Sequence, residues 1–207
     1  MKSIGIFSGS FNPIHIGHLA LANWLCEYVD LAEIWFLVTP QNPLKEKAEL
    51  MDYSLRFHMV EKAIAGYPKF KVSDIECALP QPSYTIDTLR TLQKTYPAYL
   101  FHLIIGADSW DTINLWKDAQ ALINEFSILI YPRKNHAHIE DSQISHNHRE
   151  NIPIVNCKLP HIRQVDAPLI DISSSFIRTA IREGKDVRFF LPEAVRSDVR
   201  FFNTEKF

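Results

Sequence analysis

Two short runs hold the residues best suited to handling phosphate. Near the start, Gly9-Ser10-Phe11-Asn12-Pro13 leads into His15-Ile16-Gly17-His18-Leu19. His15 and His18 lie three apart, so on a helix they share a face. At the first turn they sit among unpaired backbone N–H groups and the positive end of the dipole, where an anion is attracted. Imidazoles there could donate to phosphate oxygens and stabilise charge building on a transferring phosphoryl group. Far along the chain, Ile172-Ser173-Ser174-Ser175-Phe176-Ile177-Arg178 joins candidate N-cap serines to an arginine one turn into the same helix. N–H groups, hydroxyls and a guanidinium would then converge on one point, an arrangement suited to the outer phosphates of a nucleoside triphosphate.

Other clusters fall at similar places. Gly106-Ala107-Asp108-Ser109 follows the most apolar strand, where Asp108 could accept from sugar hydroxyls. Ser83-Tyr84-Thr85 opens a helix whose N–H groups, with the Thr85 hydroxyl, could bind a small carboxylate. Trp116 could stack on a ring, and Lys45 and Arg56 border a polar loop from which they could reach phosphate. Taken singly, these are equally capped helix starts, a core tryptophan and solvated cations. Neither the GxGxxG nor the GxxxxGK[ST] pattern is present. His136, His138, His146 and His148 form two HxH pairs of a kind that suits zinc, copper or nickel. Their segment, residues 135–151, is polar, without cysteine and without a clear period, and reads as a surface loop, so no metal site is expected.

Positioning these residues falls to alternating strands and helices. Ile4-Gly5-Ile6-Phe7 reads as a strand broken by the glycine turn, and Leu19, Ala22, Leu25, Cys26 and Val29 recur at helical spacing after it. Ile34 to Val38 is a second strand, followed by a helix that Asp52 could cap, running through Leu55, Met59, Val60 and Ala63 to Gly66. Phe70 to Val72, Leu100 to Ile105, Ser127 to Tyr131 and Ile152 to Val155 read as further strands, with a helix over Thr85 to Thr95. A helix over Ser173 to Arg182 is closed by Gly184, and Leu191-Pro192-Glu193 starts a last short one with Pro near N1. This alternation predicts a doubly wound, open parallel α/β sheet, whose ligands bind beyond the carboxyl ends of its strands.

With 207 residues, 46% of them hydrophobic, the chain suits one globular domain, residues 1–207, with no linker. A net charge of -2 gives no field to recruit nucleic acid or an anionic membrane. No apolar stretch approaches the roughly 20 residues a membrane span needs, and no charged-then-apolar leader is seen. Cys26, Cys77 and Cys157 are odd in number and widely spaced, as free thiols in a reducing compartment would be. A cytoplasmic protein is expected.

On these motifs the chain resembles the HxGH nucleotidyltransferase superfamily, and within it the bacterial nicotinate-nucleotide adenylyltransferases. Gly9 to Leu19 matches the pattern G-[TS]-F-[DN]-P-x-H-x-G-H-L, and Ile172 to Arg178 matches I-S-S-[TS]-x-I-R. The narrower likeness rests on Pro82 to Leu89, Ile105 to Ser109, Trp116 and Tyr131-Pro132-Arg133. Ser8, Asn12 and Leu44 depart from the commonest family residues, glycine, aspartate and histidine; Asn12 is expected to turn the loop as aspartate does.

The resemblance implies adenylyl transfer from ATP to nicotinate mononucleotide, with His15 and His18 on the ATP phosphates and Lys45 and Arg178 neutralising departing pyrophosphate. Gly9, Ser10, Phe11, Ser173 and Ser174 would complete the ATP site, the helices from about residue 173 closing it. Gly106 and Asp108 would hold the ribose and Arg133 would lie near adenine. Tyr84, Thr85 and backbone near Trp116 would receive the nicotinate, with the indole stacked on its ring. Mg2+ would accompany ATP without a protein ligand cage, and a homo-oligomer is compatible with it. The competing expectations are a relative acting on nicotinamide mononucleotide or phosphopantetheine, a silent nucleotide-binding module, and metal handling by the histidine segment.

Overall fold

The computed structural model describes residues 1–40, 50–133 and 161–203. Six strands form one parallel sheet: β1 (Lys2–Gly9), β2 (Glu33–Val38), β3 (Phe70–Ser73), β4 (Tyr99–Gly106), β5 (Ser127–Tyr131) and β6 (Ile162–Gln164). Their order is β3-β2-β1-β4-β5-β6, with every neighbouring pair parallel. The order reverses between β1 and β4, so the chain leaves β1 in one direction and β4 in the other, opening a crevice at their carboxyl ends.

Alternate residues of the central strands feed two cores. Ile34, Phe36 and Val38 of β2 join one, with α1 (Ile16–Tyr28), α2 (Tyr53–Ile64) and α6 (Ser174–Arg182). Trp35 and Leu37 join the other, with α3 (Thr85–Thr95) and α5 (Ala119–Glu125). All six residues of β2 are buried, as a strand covered on both faces must be. Helix α3 shows the matching pattern: Ile86, Leu89 and Leu92 are fully buried, while Arg90 and Lys94 face solvent.

The doubly wound parallel sheet is as the sequence predicts, and Asp52 caps α2 by accepting from Ser54 N–H at 2.8 Å. The strand expected over Ile152 to Val155 lies outside the described residues, and among the described residues a sixth strand stands at Ile162–Gln164. Helices α4 (Ala107–Asp111) and α5 occupy a stretch without an expected helix. Pro192 stands at the N-cap of the short 3-10 turn Glu193–Val195, next to N1, as the sequence suggested.

Candidate nucleotide site

The turn after β1 is built by burial and backbone carbonyls. Its tight bend falls on Phe11, with φ of 45°, rather than on a glycine. The Phe11 ring is 3% exposed, packs edge-on to Phe7 and His18, and contributes to the lining of the site's cavity. Asn12, also buried, does not close a local turn with this side chain's bond to Met51: its Oδ1 accepts from Met51 N–H, 39 residues away, at 3.3 Å and so ties the loop to the start of α2. Arg56 departs from its expected role. It is completely buried, and its guanidinium donates to the carbonyls of Met51, Ser10, Thr39 and Pro40 at 2.7–3.2 Å, which leaves it a staple under the turn and no phosphate ligand.

His15 takes the N-cap of α1 and His18 its third position. The rings stack, centroids 3.6 Å apart and 22° from parallel. His18 Nδ1 accepts from the His15 backbone N–H at 3.3 Å, so in the neutral ring the proton resides on Nε2. Burial, helped by the nearby Arg133 charge, pushes His15 down to about 3, and it stays neutral at any physiological pH. A Cβ on Gly17 would lie 3.0 Å from His15 Nδ1 and 3.2 Å from Ile170, so the stacked pair needs glycine there.

Helix α6 closes on this turn from the far end of the chain. Ser173 caps it, accepting from Phe176 N–H at 3.1 Å. Ser174 Oγ donates to the Pro13 carbonyl at 2.9 Å, and Arg178 donates to the Asn12 carbonyl at 2.9 Å and to Ser175 Oγ at 3.3 Å. The two runs that the sequence singled out for phosphate are therefore joined in one structure.

On the β4 side, Arg133 lies 3.8 Å from Asp108 and donates to the Tyr131 hydroxyl at 3.1 Å. A Cβ on Gly106 would meet Arg133 at 3.2 Å, so this close approach also requires glycine. Tyr84 caps α3 without a side-chain hydrogen bond, and Trp116 ends the 3-10 turn Ile113–Leu115. Lys117 bridges these two walls, 3.0 Å from Asp87 and 4.6 Å above the Tyr84 ring.

A cavity of about 670 Å³ lies among these elements, within the range of pockets that enclose small ligands. It brings together Gly9, Ser10, His15, His18, Gly106, Asp108, Arg133, Ser173, Ser174 and Arg178, and, along another wall, Tyr84, Thr85 and Trp116. Lys45, Leu44 and the four histidines of residues 135–151 lie outside the described residues. Sequence reading overlooked Glu76, a buried carboxyl in the wall beside Ser83. The one signal for it is an acidic residue in an otherwise apolar run, Ile75-Glu76-Cys77-Ala78-Leu79.

A histidine-bearing helix start at the switch point of a parallel sheet, closed by a second helix start from the distant end of the chain, is the build of the α/β nucleotidyltransferases. The model of the cytidylyltransferase-like family matches residues 6–180. A Bacteroides fragilis protein named "Probable nicotinate-nucleotide adenylyltransferase" is 49% identical over 92% of this chain and 88% of its own length. One of the same name from Azobacteroides pseudotrichonymphae is 48% identical over 95% of both. The solved structure of Plasmodium falciparum nicotinic acid mononucleotide adenylyltransferase complexed with NaAD is 22% identical, with a TM-score of 0.77 over 99% of this chain and 97% of that one, and shares the fold. The chain belongs to the cytidylyltransferase-like family and, within it, to the nicotinate-nucleotide adenylyltransferases.

Proposed function

We propose that the protein transfers the adenylyl group of ATP to nicotinate mononucleotide, releasing pyrophosphate and forming nicotinate adenine dinucleotide, a step of NAD synthesis in the cytoplasm. The observation that carries this reading is the single cavity in which the histidine turn and the α6 start face the Tyr84–Thr85 and Trp116 walls. The names of the relatives support it, as does the cavity's position at the switch point.

The chemistry asks for alignment and charge stabilisation rather than a protein nucleophile. An oxygen of the mononucleotide phosphate attacks the α-phosphorus in line. The bond from that phosphorus to the bridging oxygen breaks, and its electron pair leaves with pyrophosphate. The attacking phosphate is already an anion, so no general base is required. His18 Nε2–H donates to the phosphates, and Arg178, with Lys45, offsets the charge of the departing group. Gly9 and Ser10 bring backbone close to the triphosphate, Ser173 and Ser174 present the start of α6, and Gly106, Asp108 and Arg133 take the adenosine. Tyr84, Thr85 and the backbone near Trp116 take the nicotinate, with the indole against the ring. We assign Mg2+, which would accompany ATP, to the ATP phosphates. Among the described residues, no helix is long and apolar enough to cross a membrane.

Pyrophosphate release from ATP, measured with nicotinate mononucleotide and nicotinamide mononucleotide in parallel, tests the assignment. Faster turnover with the acid is expected; a preference for the amide, or no release with either, overturns it.

A further inference from the structure

Glu76 belongs to the 3-10 turn Ile75–Ala78, directly before the loop that leads into α3. It is 5% exposed, yet it lines the cavity. No lysine or arginine pairs with it among the described residues. Its carboxyl instead meets two hydroxyls that flank Tyr84 and Thr85: Ser83 Oγ at 3.5 Å and Thr88 Oγ1 at 3.3 Å. Ser83 and Thr88 are themselves buried. The Thr88 hydroxyl also lies 3.2 Å from the Tyr84 carbonyl. A hydroxyl has one proton to give, so a protonated Glu76 allows one unbroken chain: Glu76 donates to Thr88, and Thr88 donates to Tyr84. An ionised Glu76 breaks it, because Thr88 must then turn its proton toward the carboxylate.

We propose that Glu76 is a specificity-determining positioning residue: its buried carboxyl, behind the first turn of α3, holds Ser83 and Thr88 and, in its protonated form, leaves the positive end of that helix to an anionic ring substituent of the substrate. This rests on the reading of the reaction given above. Burial pushes the Glu76 carboxyl up to about 7, with the two hydroxyls acting against that rise. The ionisable groups on the neighbouring elements are Asp74 and Cys77 on its own turn, Tyr84 at the cap of α3 with Asp87, Arg90 and Lys94 on that helix, Glu33 on β2, Tyr53 of α2 beside Cys77, and Lys117 beyond Trp116. Glu33 is held by Lys2, Trp35 and Lys71, Asp87 by Lys117, and Arg90 by Glu125. None of these groups is among those that shift Glu76. Once ionised, Glu76 draws on the same helix dipole as the bound carboxylate and repels it, whereas an amide at that position feels little.

The experiment is the KM of each mononucleotide from pH 6.0 to 8.5, for the full chain and for Glu76→Gln, with ATP saturating. In the unaltered protein the KM for nicotinate mononucleotide is expected to rise about fivefold to tenfold relative to that for nicotinamide mononucleotide, an effect of one nearby like charge. Both substrates carry the same titrating phosphate, so the ratio isolates the ring substituent. Glu76→Gln, which keeps the shape and a donor, is expected to flatten the ratio. A ratio independent of pH in the unaltered protein, or an unchanged rise in Glu76→Gln, overturns the proposal while leaving the reaction intact. The unaltered protein's ratio decides the matter alone if the variant fails to fold. Failure to turn over either mononucleotide overturns the reaction and this inference with it.

Discussion

His15 and His18 differ in what surrounds them, and their parts in the site follow from that. His15 is 3% exposed and neutral, while His18 has one ring nitrogen committed to the His15 backbone and the other carrying the proton. In the proposed reaction His18 donates toward developing charge, so His18→Ala is expected to lower kcat by about 10²- to 10³-fold. Unchanged circular dichroism beside near-normal turnover would remove it from the site. The pair was legible in the sequence because spacing on a helix is periodic. The parts of Arg56 and Glu76 were not, since a residue letter gives polarity and leaves burial unstated. Arg56 read as a loop cation, yet it is fully buried with four carbonyls around it.

At the scale of elements, that guanidinium joins the β1–α1 turn, the end of β2 and the first turn of α2. Lysine cannot reproduce its planar fork. Arg56→Lys is therefore expected to destabilise the fold by about 2–4 kcal/mol, leaving buried carbonyls without partners. Urea denaturation with a lowered midpoint and unchanged m-value checks this; an unchanged midpoint would show that water replaces the lost bonds. The long helices and strands declared themselves through caps and periodicity, as at Asp52 and over Thr85–Thr95. Helix α5 has only seven residues, with Leu122 and Ile123 as its buried contacts, and β6 has three. Elements that short carry less than two periods, and tertiary packing rather than local pattern decides them.

For the molecule as a whole, His15 and Glu76 set opposing dependences of stability on pH. The ordinary His15 value of 6.5 falls to about 3 in the fold, so the unfolded chain gains its proton first and stability is lost as pH falls through that interval. Glu76 rises from 4.5 to about 7, so its contribution is full below 4.5 and is lost as pH climbs through 7. Glu76→Gln lacks the second dependence. Between pH 4.5 and 8 its stability is expected to gain on the unaltered protein by up to about 3 kcal/mol, read from paired denaturation curves. Parallel curves would show that Glu76 titrates normally in the fold. The contacts that close the site span most of the chain: Ser174 reaches Pro13, and Arg178 reaches Asn12. A chain emerging from the ribosome therefore displays its histidine turn early and joins it to α6 only when residue 178 has arrived and docked. If the proposed reaction holds, ATP would bind only that docked form and so stabilise the last helix in place.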